Sequence, residues 1–273
     1  MMIGENYVLL ASGVLAFGRG IQEKNIDERV KSWDENINNT AFFLILAGSQ
    51  TAEIEGISSA GSTPISRRYT AVADAELLLR GPMHPKRWPL PPLPAGVSPA
   101  LISYVASSFL KLKPTVISAG LLQKPSFLHV CLESAEIGPA RCLSSGNAMD
   151  ISRVKLLLDG GYEIGKKLKE SLLIAECVPG GTTTAFAVLS GLGINVNGLI
   201  SGSHRNPPYE LKTKLVNQGL KAAKLKKNPS SLDLMAAVGD PFQPIAVGLL
   251  MGARESGQDV LLGGGCQMLA VLA

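Results

Sequence analysis

The sequence is poor in aromatic residues and contains no apolar run of membrane-spanning length. Phe, Trp and Tyr together make up 5% of the 273 residues. The apolar stretch from Tyr7 to Phe17 is too short to cross a bilayer, and Glu5 stands where a secretory signal peptide carries positive charge. The sequence therefore predicts neither a membrane anchor nor a signal peptide.

The sequence also lacks the cysteine patterns of disulfide-rich and zinc-binding proteins. None of its cysteines forms a C-x-x-C pair, and no histidine lies near one at zinc-ligand spacing. We therefore expect no metal site, and we expect free thiols in a reducing cytoplasm. The four cysteines are Cys131, Cys142, Cys177 and Cys266.

The basic residues do not form one long run with interleaved aromatics, so nothing in the charge pattern indicates nucleic-acid binding. The net charge is +4 and the pI is about 8.8, a mild excess that favours anionic small molecules as ligands. The 29 glycines suit tight loops between strands and helices, and ligand pockets that are lined by backbone.

Apolar runs of strand length alternate with helical patterns along the chain. This alternation predicts one α/β domain over residues 1–273, with a three-layer, mainly parallel sheet, helices on both faces and a smaller helical or irregular part. The predicted strands are Ala41–Ala47, Glu76–Arg80, Thr115–Ala119, Ser171–Ala175 and Asp259–Leu262. The helices predicted after residue 97 are Ser98–Leu112, Asp150–Leu168, Thr182–Leu192, Pro208–Lys227, Ser231–Val238, Phe242–Glu255 and Gln267–Ala273.

Two segments are predicted to lack regular structure. Gly48–Thr70 is rich in Gly, Ser and Thr, which is typical of a long functional loop. Residues 81–99 are rich in proline, with four prolines from Pro89 to Pro94. Because proline removes a backbone donor and restricts its neighbours, this stretch is predicted to cross a surface. It is either an internal domain boundary or a tethered crossover within one domain.

The most informative segment is Ser171–Gly193, in which a strand, a Gly-rich turn and a helix start follow one another. The apolar run stops at Glu176, and the turn contains Gly180 and Gly181. Unpaired N–H groups and the helix dipole favour an anion at a helix N-terminus, and hydroxyls add donors. The segment therefore predicts a phosphate cradle with a carboxylate at its edge. The alternative is a tight turn in which a threonine caps the helix. The threonines are Thr182, Thr183 and Thr184.

A second Gly-rich turn follows the last predicted strand, and it contains Gly263, Gly264 and Gly265. In parallel sheets, ligands bind beyond the carboxyl ends of the strands, so both turns are predicted to converge on one crevice. Ser201 and Ser203 either bind phosphate or ribose or lie in a plain surface loop. The amides of Gln243 and Gln267 either contact a ligand or make loop hydrogen bonds.

Seven strings resemble the nicotinate-nucleotide:dimethylbenzimidazole phosphoribosyltransferase family, and more closely a divergent archaeal and cyanobacterial branch of it. The phosphate-loop string is ECVPGGTTTAFAVL, from Glu176 to Leu189. The others are GISSAGSTP (Gly56–Pro64), RRYTAVADAE (Arg67–Glu76), PLPPLPAGVSPALIS (Pro89–Ser103), ARCLSSGNAMD (Ala140–Asp150), AVGDPFQPIAVGL (Ala237–Leu249) and VLLGGGCQMLAVLA (Val260–Ala273).

The resemblance implies an activity and the ligands that go with it. A benzimidazole or purine base displaces nicotinate from nicotinate mononucleotide, which gives an α-ribazole 5′-phosphate for the lower ligand of cobamides. The resemblance also implies a homodimer that needs no cofactor or metal. Glu176 is expected to contact the ribose hydroxyls, and the turn from Gly180 to Thr183 the phosphate. Ser58 and Ser59 match the region that borders the base pocket.

The resemblance leaves the general base open. In the family the base is a glutamate of a C-terminal segment, and we expect that segment to be absent here, because the sequence ends at Ala273 soon after its last Gly-rich turn. Either the copy is truncated, or another residue or another chain supplies the base. Asp74, Glu76 and Asp240 are internal candidates, each of which is otherwise a helix-start, solvent or turn residue. Without a base, the chain is expected to be a non-catalytic nucleotide-binding protein of the same origin, or a remnant that needs a partner to fold.

Overall fold

A computed structural model describes residues 7–10, 14–17, 23–90, 98–200, 202 and 206–273. Ser201 and Ser203, two predicted ligand contacts, lie outside these residues. The chain divides into a unit of residues 1–40 and a unit of residues 41–273. In the first unit, strands β1 (Tyr7–Leu10) and β2 (Val14–Phe17) pair antiparallel, and helix α1 (Glu23–Asn36) follows.

The second unit is built on a five-stranded parallel sheet in the order β5-β4-β3-β6-β7, which confirms the predicted α/β class. Its strands are β3 (Thr40–Ala47), β4 (Thr115–Ala119), β5 (Val130–Cys131), β6 (Ser171–Cys177) and β7 (Val260–Gly263). Its helices are α2 (Pro64–Arg80), α3 (Pro99–Phe109), α4 (Ile151–Lys166), α5 (Gly181–Gly191), α6 (Tyr209–Ala223), α7 (Ser231–Val238), α8 (Phe242–Glu255) and α9 (Cys266–Leu272).

Helices cover both faces of the sheet, as β6 shows. Successive side chains of a strand point to opposite faces. Leu172 and Ile174 share a buried cluster with Phe242 of α8, so α8 covers that face. Cys177 points to the other face, where its thiol donates to Asp74 of α2 at 3.5 Å. Glu176 therefore lies on the α8 face of the sheet, and Asp74 lies on the α2 face.

Helices α4 and α8 pack with their backbones in close contact. A Cβ atom at Gly248 of α8 would lie 2.1 Å from the carbonyl oxygen of Leu158, and one at Gly161 of α4 would lie 2.4 Å from that of Ile245. Only glycine fits such an approach. This contact holds α8 against the sheet and so positions the turn that precedes α8.

The predicted strand Glu76–Arg80 is wrong, because these residues form the last turns of α2. Thr63 and Ser66 form a capping box and Pro64 occupies the first turn, so the helix begins within the segment that was predicted to be a loop. A run of three leucines does not distinguish a strand from a buried helical turn, and here packing of the whole helix decides.

The proline-rich segment is tied to α2 where the structure describes it. Residues 81–90 contain no helix or strand. The Arg87 N–H donates to the buried carboxylate of Glu76 at 3.1 Å, and Trp88 stacks on Tyr69 with ring centroids 4.7 Å apart. Glu76 also accepts from Arg80 at 3.3 Å. Glu76 is therefore an anchor of this crossing.

Candidate functional site

An open cavity of about 260 Å³ lies at the carboxyl ends of β6 and β7. The two Gly-rich turns meet there, as predicted, because β6 and β7 are neighbours in the sheet. The turn before α2 and helix α6 complete the wall. The lining residues are Ile57, Ser58, Ser59, Ala60, Glu176, Val178, Gly180, Gly181, Thr182, Gly202, Lys212, Gly265, Cys266 and Gln267.

Gly180 and Gly181 form the tight turn that opens α5. Gly180 has φ +78°, a conformation that side-chain-bearing residues rarely adopt, and a Cβ there would lie 3.1 Å from the backbone of Ala52. The Gly181 N–H donates to Val178 O at 2.8 Å, and the Thr183 N–H donates to Gly180 O at 2.9 Å. These two N–H groups are therefore already engaged within the turn. The glycines are required because the turn packs directly against the backbone of Ala52 and against the Gln267 amide, which would lie 2.7 Å from a Cβ atom on Gly181.

The three threonines do not share one role. Thr182 lines the cavity, whereas Thr183 and Thr184 are fully buried behind its wall. Thr184 shares its single hydroxyl hydrogen between Gly181 O, at 2.9 Å, and the carboxylate of Asp240. The expectation that all three hydroxyls face a phosphate is therefore wrong for Thr183 and Thr184. Their side chains turn inward as the helix rotates.

Lys212 supplies a buried cation that sequence reasoning missed. Its Nζ donates to Thr182 Oγ1 at 2.8 Å, and the residue is 1% exposed. Burial lowers the pKa of this lysine. The sequence predicts a helix over Pro208–Lys227, and no ligand contact was predicted on it. Its buried residues are Lys212, Leu215, Val216 and Gly219. This i, i+3, i+4, i+7 spacing puts the lysine on the apolar stripe, which was the available signal.

Glu176 is the half-buried carboxylate of the cavity, at the end of β6. Burial, and then the neighbouring negative charge of Asp240, raise its pKa to about 7. A hydrogen bond with the Val178 backbone opposes this shift. A carboxyl group with this pKa exchanges a proton readily near neutral pH, which suits both acid–base work and hydrogen bonding to a hydroxyl.

Asp240 lies behind the cavity rather than in its lining. It is fully buried, and burial raises its pKa. Its Oδ2 accepts from Gln267 Nε2 at 2.6 Å and from Thr184, and its Oδ1 accepts from the Phe242 N–H at 2.9 Å. The predicted role of Asp240 as general base is therefore not supported, because its carboxylate is enclosed by protein donors.

Asp74 and Glu76 also lie away from the cavity, although both are candidates for the base. Asp74 is in the interior of α2, on the opposite face of β6 from Glu176, and burial raises its pKa to about 6. Its Oδ2 faces Cys177, and its Oδ1 has no hydrogen-bond partner among the described residues. The position of these two residues outside the cavity lining gives the predicted catalytic role no support, and neither residue is the solvent-exposed charge of the alternative.

The remaining predicted residues divide between the cavity and its surroundings. Ser58, Ser59 and Gln267 line it, together with Gly265, whereas Gly263 ends β7 and Gly264 is outside the lining. Ser59 Oγ is buried with no partner among the residues that the structure describes. A buried hydroxyl in that state is available to a ligand.

Arg67 holds the serine-containing turn in place, and no sequence pattern indicated this role. It is 3% exposed, and its guanidinium donates to the carbonyl oxygens of Ser58 at 3.0 Å, Gly61 at 3.1 Å and Ile54 at 2.9 Å, and also to Ala52. Arg67 also lines a second cavity, of about 30 Å³. Its lining includes Pro64, Arg67, Leu121, Leu122, Pro139 and Pro179.

Within the described ranges, no group of three or more His, Cys, Asp or Glu side chains is placed to hold a metal ion. Nor does any helix of those ranges combine the length and apolarity needed to cross a membrane.

Two solved structures, both from Thermus thermophilus, have a similar fold. They are a CobT (TM-score 0.63) and a nicotinate-nucleotide-dimethylbenzimidazole phosphoribosyltransferase (TM-score 0.60). Each is 17% identical to this chain and covers 85% of it, and the matches cover 64% and 63% of those chains. At this identity the likeness concerns the fold.

Two curated relatives of high identity come from cyanobacteria. The UPF0284 protein of Prochlorococcus marinus (strain MIT 9313) is 55% identical over 258 residues, which are 94% of this chain and 64% of that protein. A UPF0284 protein of Parasynechococcus marenigrum (strain WH8102) is 53% identical over 262 residues, 96% of this chain and 66% of that protein. The chain thus spans slightly less than two thirds of the length of these relatives.

A family model described as phosphoribosyltransferase matches residues 106–273, which include β6, α5, α6 and α9 and so most of the cavity wall. The chain therefore belongs to this phosphoribosyltransferase family.

Proposed function

We propose that the cavity binds nicotinate mononucleotide, and that the chain takes part in transfer of its phosphoribosyl group to a benzimidazole or purine base. The product would be an α-ribazole 5′-phosphate for the lower ligand of cobamides. Family membership and the fold support phosphoribosyl transfer. The observation that carries the proposal is the buried Lys212–Thr182 pair at the start of α5, in the same cavity as Glu176.

The phosphate is assigned to the Lys212–Thr182 pair. An ammonium and a hydroxyl 2.8 Å apart provide a charge and several donors, and the partial positive charge of the α5 N-terminus adds to them. Gly180 and Gly181 line the same cavity beside this pair. Because Lys212 is buried, little solvent screens its attraction to an anion.

The ribose and the reacting carbon are assigned to Glu176. In the reaction, the bond from C1′ to the nicotinate nitrogen breaks, and a bond from C1′ to a nitrogen of the incoming base forms. The base loses its N–H proton to a carboxylate. Positive charge develops on the sugar meanwhile, so an ionised Glu176 stabilises the transition state. A pKa of about 7 also lets this carboxylate accept the proton.

The aromatic base is assigned to the turn that carries Ser58 and Ser59. The unpartnered Ser59 hydroxyl is available to a ring nitrogen, and Ile57 and Ala60 provide apolar surface beside it. Arg67 keeps this turn rigid through four backbone hydrogen bonds. From the family resemblance, the proposal includes a cytoplasmic homodimer that works without cofactor or metal.

Binding without turnover is the second candidate function, and one observation favours it. Asp74, Glu76 and Asp240 all lie outside the cavity lining, so among the described residues Glu176 is the one carboxylate in it. If Glu176 is fully used in holding the ribose hydroxyls, no second carboxylate of the described part deprotonates the base. The chain would then be a nucleotide-binding protein.

Release of nicotinate from nicotinate mononucleotide tests the two candidates. The purified chain is incubated with the nucleotide, with and without dimethylbenzimidazole or adenine, and nicotinate is measured by chromatography. Base-dependent release supports transfer. Saturable binding in calorimetry without release supports the binding protein. Absence of binding at millimolar nucleotide would contradict both.

A further inference from the structure

Asp240 belongs to a closed hydrogen-bond network under the candidate site. The residue lies in the turn between α7 and α8 and is fully buried. Its Oδ1 is held by the Phe242 N–H at 2.9 Å. This bond fixes which oxygen remains for the side chains, so Oδ2 faces Gln267 and Thr184.

The network determines the orientation of two amides. Gln267 Nε2 donates to Asp240 Oδ2 at 2.6 Å, and Gln267 Oε1 accepts from Gln243 Nε2 at 3.0 Å. Gln243 Oε1 accepts in turn from the Asp240 N–H at 3.3 Å. Each bond requires the next, so neither amide can rotate by half a turn without placing a donor against a donor.

The oriented amide reaches the cavity. Gln267 is among the lining residues, and a Cβ atom on Gly181 would lie 2.7 Å from its Nε2. The Gln267 Nε2 atom carries two hydrogens, and one of them is hydrogen-bonded to Asp240. The second hydrogen is available as a donor beside the start of α5.

Resting on the proposed function, we infer that Asp240 is a positioning residue, which holds the Gln267 amide so that it donates to the bound nucleotide. A carboxylate is required, because Asn at this position would keep its oxygen on the Phe242 N–H and turn its NH₂ toward Gln267. Gln267 would then have to reverse and present an oxygen near the anionic ligand, and its bond to Gln243 would be lost.

A double-mutant cycle tests whether Asp240 acts through Gln267. Calorimetry gives the Kd for nicotinate mononucleotide of wild type, Asp240→Asn, Gln267→Met and the double variant. One lost hydrogen bond corresponds to about a tenfold rise in Kd. We expect about tenfold for each single variant and about tenfold, not about a hundredfold, for the double variant. A rise in Kd of about a hundredfold in the double variant would overturn the inference. So would an unchanged Kd in an Asp240→Asn variant that is folded.

Glu76→Gln is the matched control for loss of a buried carboxylate. Glu76 is 3% exposed and lies away from the cavity, so its replacement lowers the thermal midpoint without changing Kd. A rise in Kd equal to that of Asp240→Asn would show that general loss of stability, not positioning, weakens binding.

Two ligand-free readouts separate this inference from the proposed function. In Asp240→Asn the side-chain amide resonances of Gln267 must shift, and the pKa of Glu176 must fall, because a neighbouring negative charge is removed. Failure of the wild-type chain to bind the nucleotide would sink the proposed function. Unshifted Gln267 resonances would sink the positioning role, whatever the binding result.

Discussion

Replacement of Lys212 by Met removes the ammonium from the cavity and keeps an unbranched side chain. The Nζ of Lys212 donates to Thr182 at 2.8 Å and is the cation assigned to phosphate. Hydrogen bonds to charged groups contribute about 1.5–3 kcal/mol, which corresponds to a rise in Kd of about 10- to 150-fold. We expect the Kd for nicotinate mononucleotide to rise within this range in Lys212→Met.

The same change is expected not to reduce stability. Burial lowers the pKa of Lys212, which means that the folded protein disfavours its charged form. Methionine has no charge to desolvate, and the Thr182 hydroxyl that loses its partner lines an open cavity where water replaces it. The thermal midpoint of Lys212→Met should therefore equal or exceed that of the wild type.

Lys214→Met is the control, since Lys214 is an exposed lysine on the same helix. Both variants lose one positive charge, so a general effect of net charge would appear in both. Calorimetry measures Kd and circular dichroism follows thermal unfolding. An unchanged Kd in Lys212→Met, or an equal change in Lys214→Met, would refute the assignment of phosphate to Lys212.

Three further predictions concern pH and packing. Wild-type nicotinate release should rise with pH to a plateau above about pH 7, as Glu176 ionises, and Glu176→Gln should lower kcat by about 100-fold and remove this profile. Burial raises the pKa of Asp74 from 3.8 to about 6, so its contribution to stability falls as pH rises between these values and stays low above them. In urea unfolding at pH 7.5, Asp74→Asn should therefore be more stable than the wild type by up to about 3 kcal/mol, and the difference should be smaller at pH 4.5. Equal stabilities of variant and wild type at both pH values would contradict the raised pKa of Asp74. Gly181→Ala should displace the Gln267 amide, whose Nε2 lies 2.7 Å from the position of the new Cβ, and should therefore raise the Kd for the nucleotide. A Kd equal to that of the wild type would show that the amide moves aside without cost.

Local sequence was sufficient for most elements of the fold. Strand β3 is a continuous apolar run, and α8 has a helical pattern between Pro241 and Gly257, so both were predicted close to their observed limits. The exception is Glu76–Arg80, whose short apolar run fits a strand and a buried helical turn equally well. The helix there is determined by a capping box thirteen residues upstream of Glu76 and by packing against β6.

The sequence by itself determined the two Gly-rich turns, the threonines and Glu176, because a strand, a turn and a helix start are adjacent in the chain. Only the tertiary structure decided which of these side chains face the cavity. Helix rotation turns Thr184 inward, and the alternation of β6 separates Glu176 from Asp74. Lys212 and Asp240 reach the site from α6 and from the turn before α8, through contacts between residues distant in the chain. Burial, which raises the pKa of Glu176 and lowers that of Lys212, arises when those elements pack together.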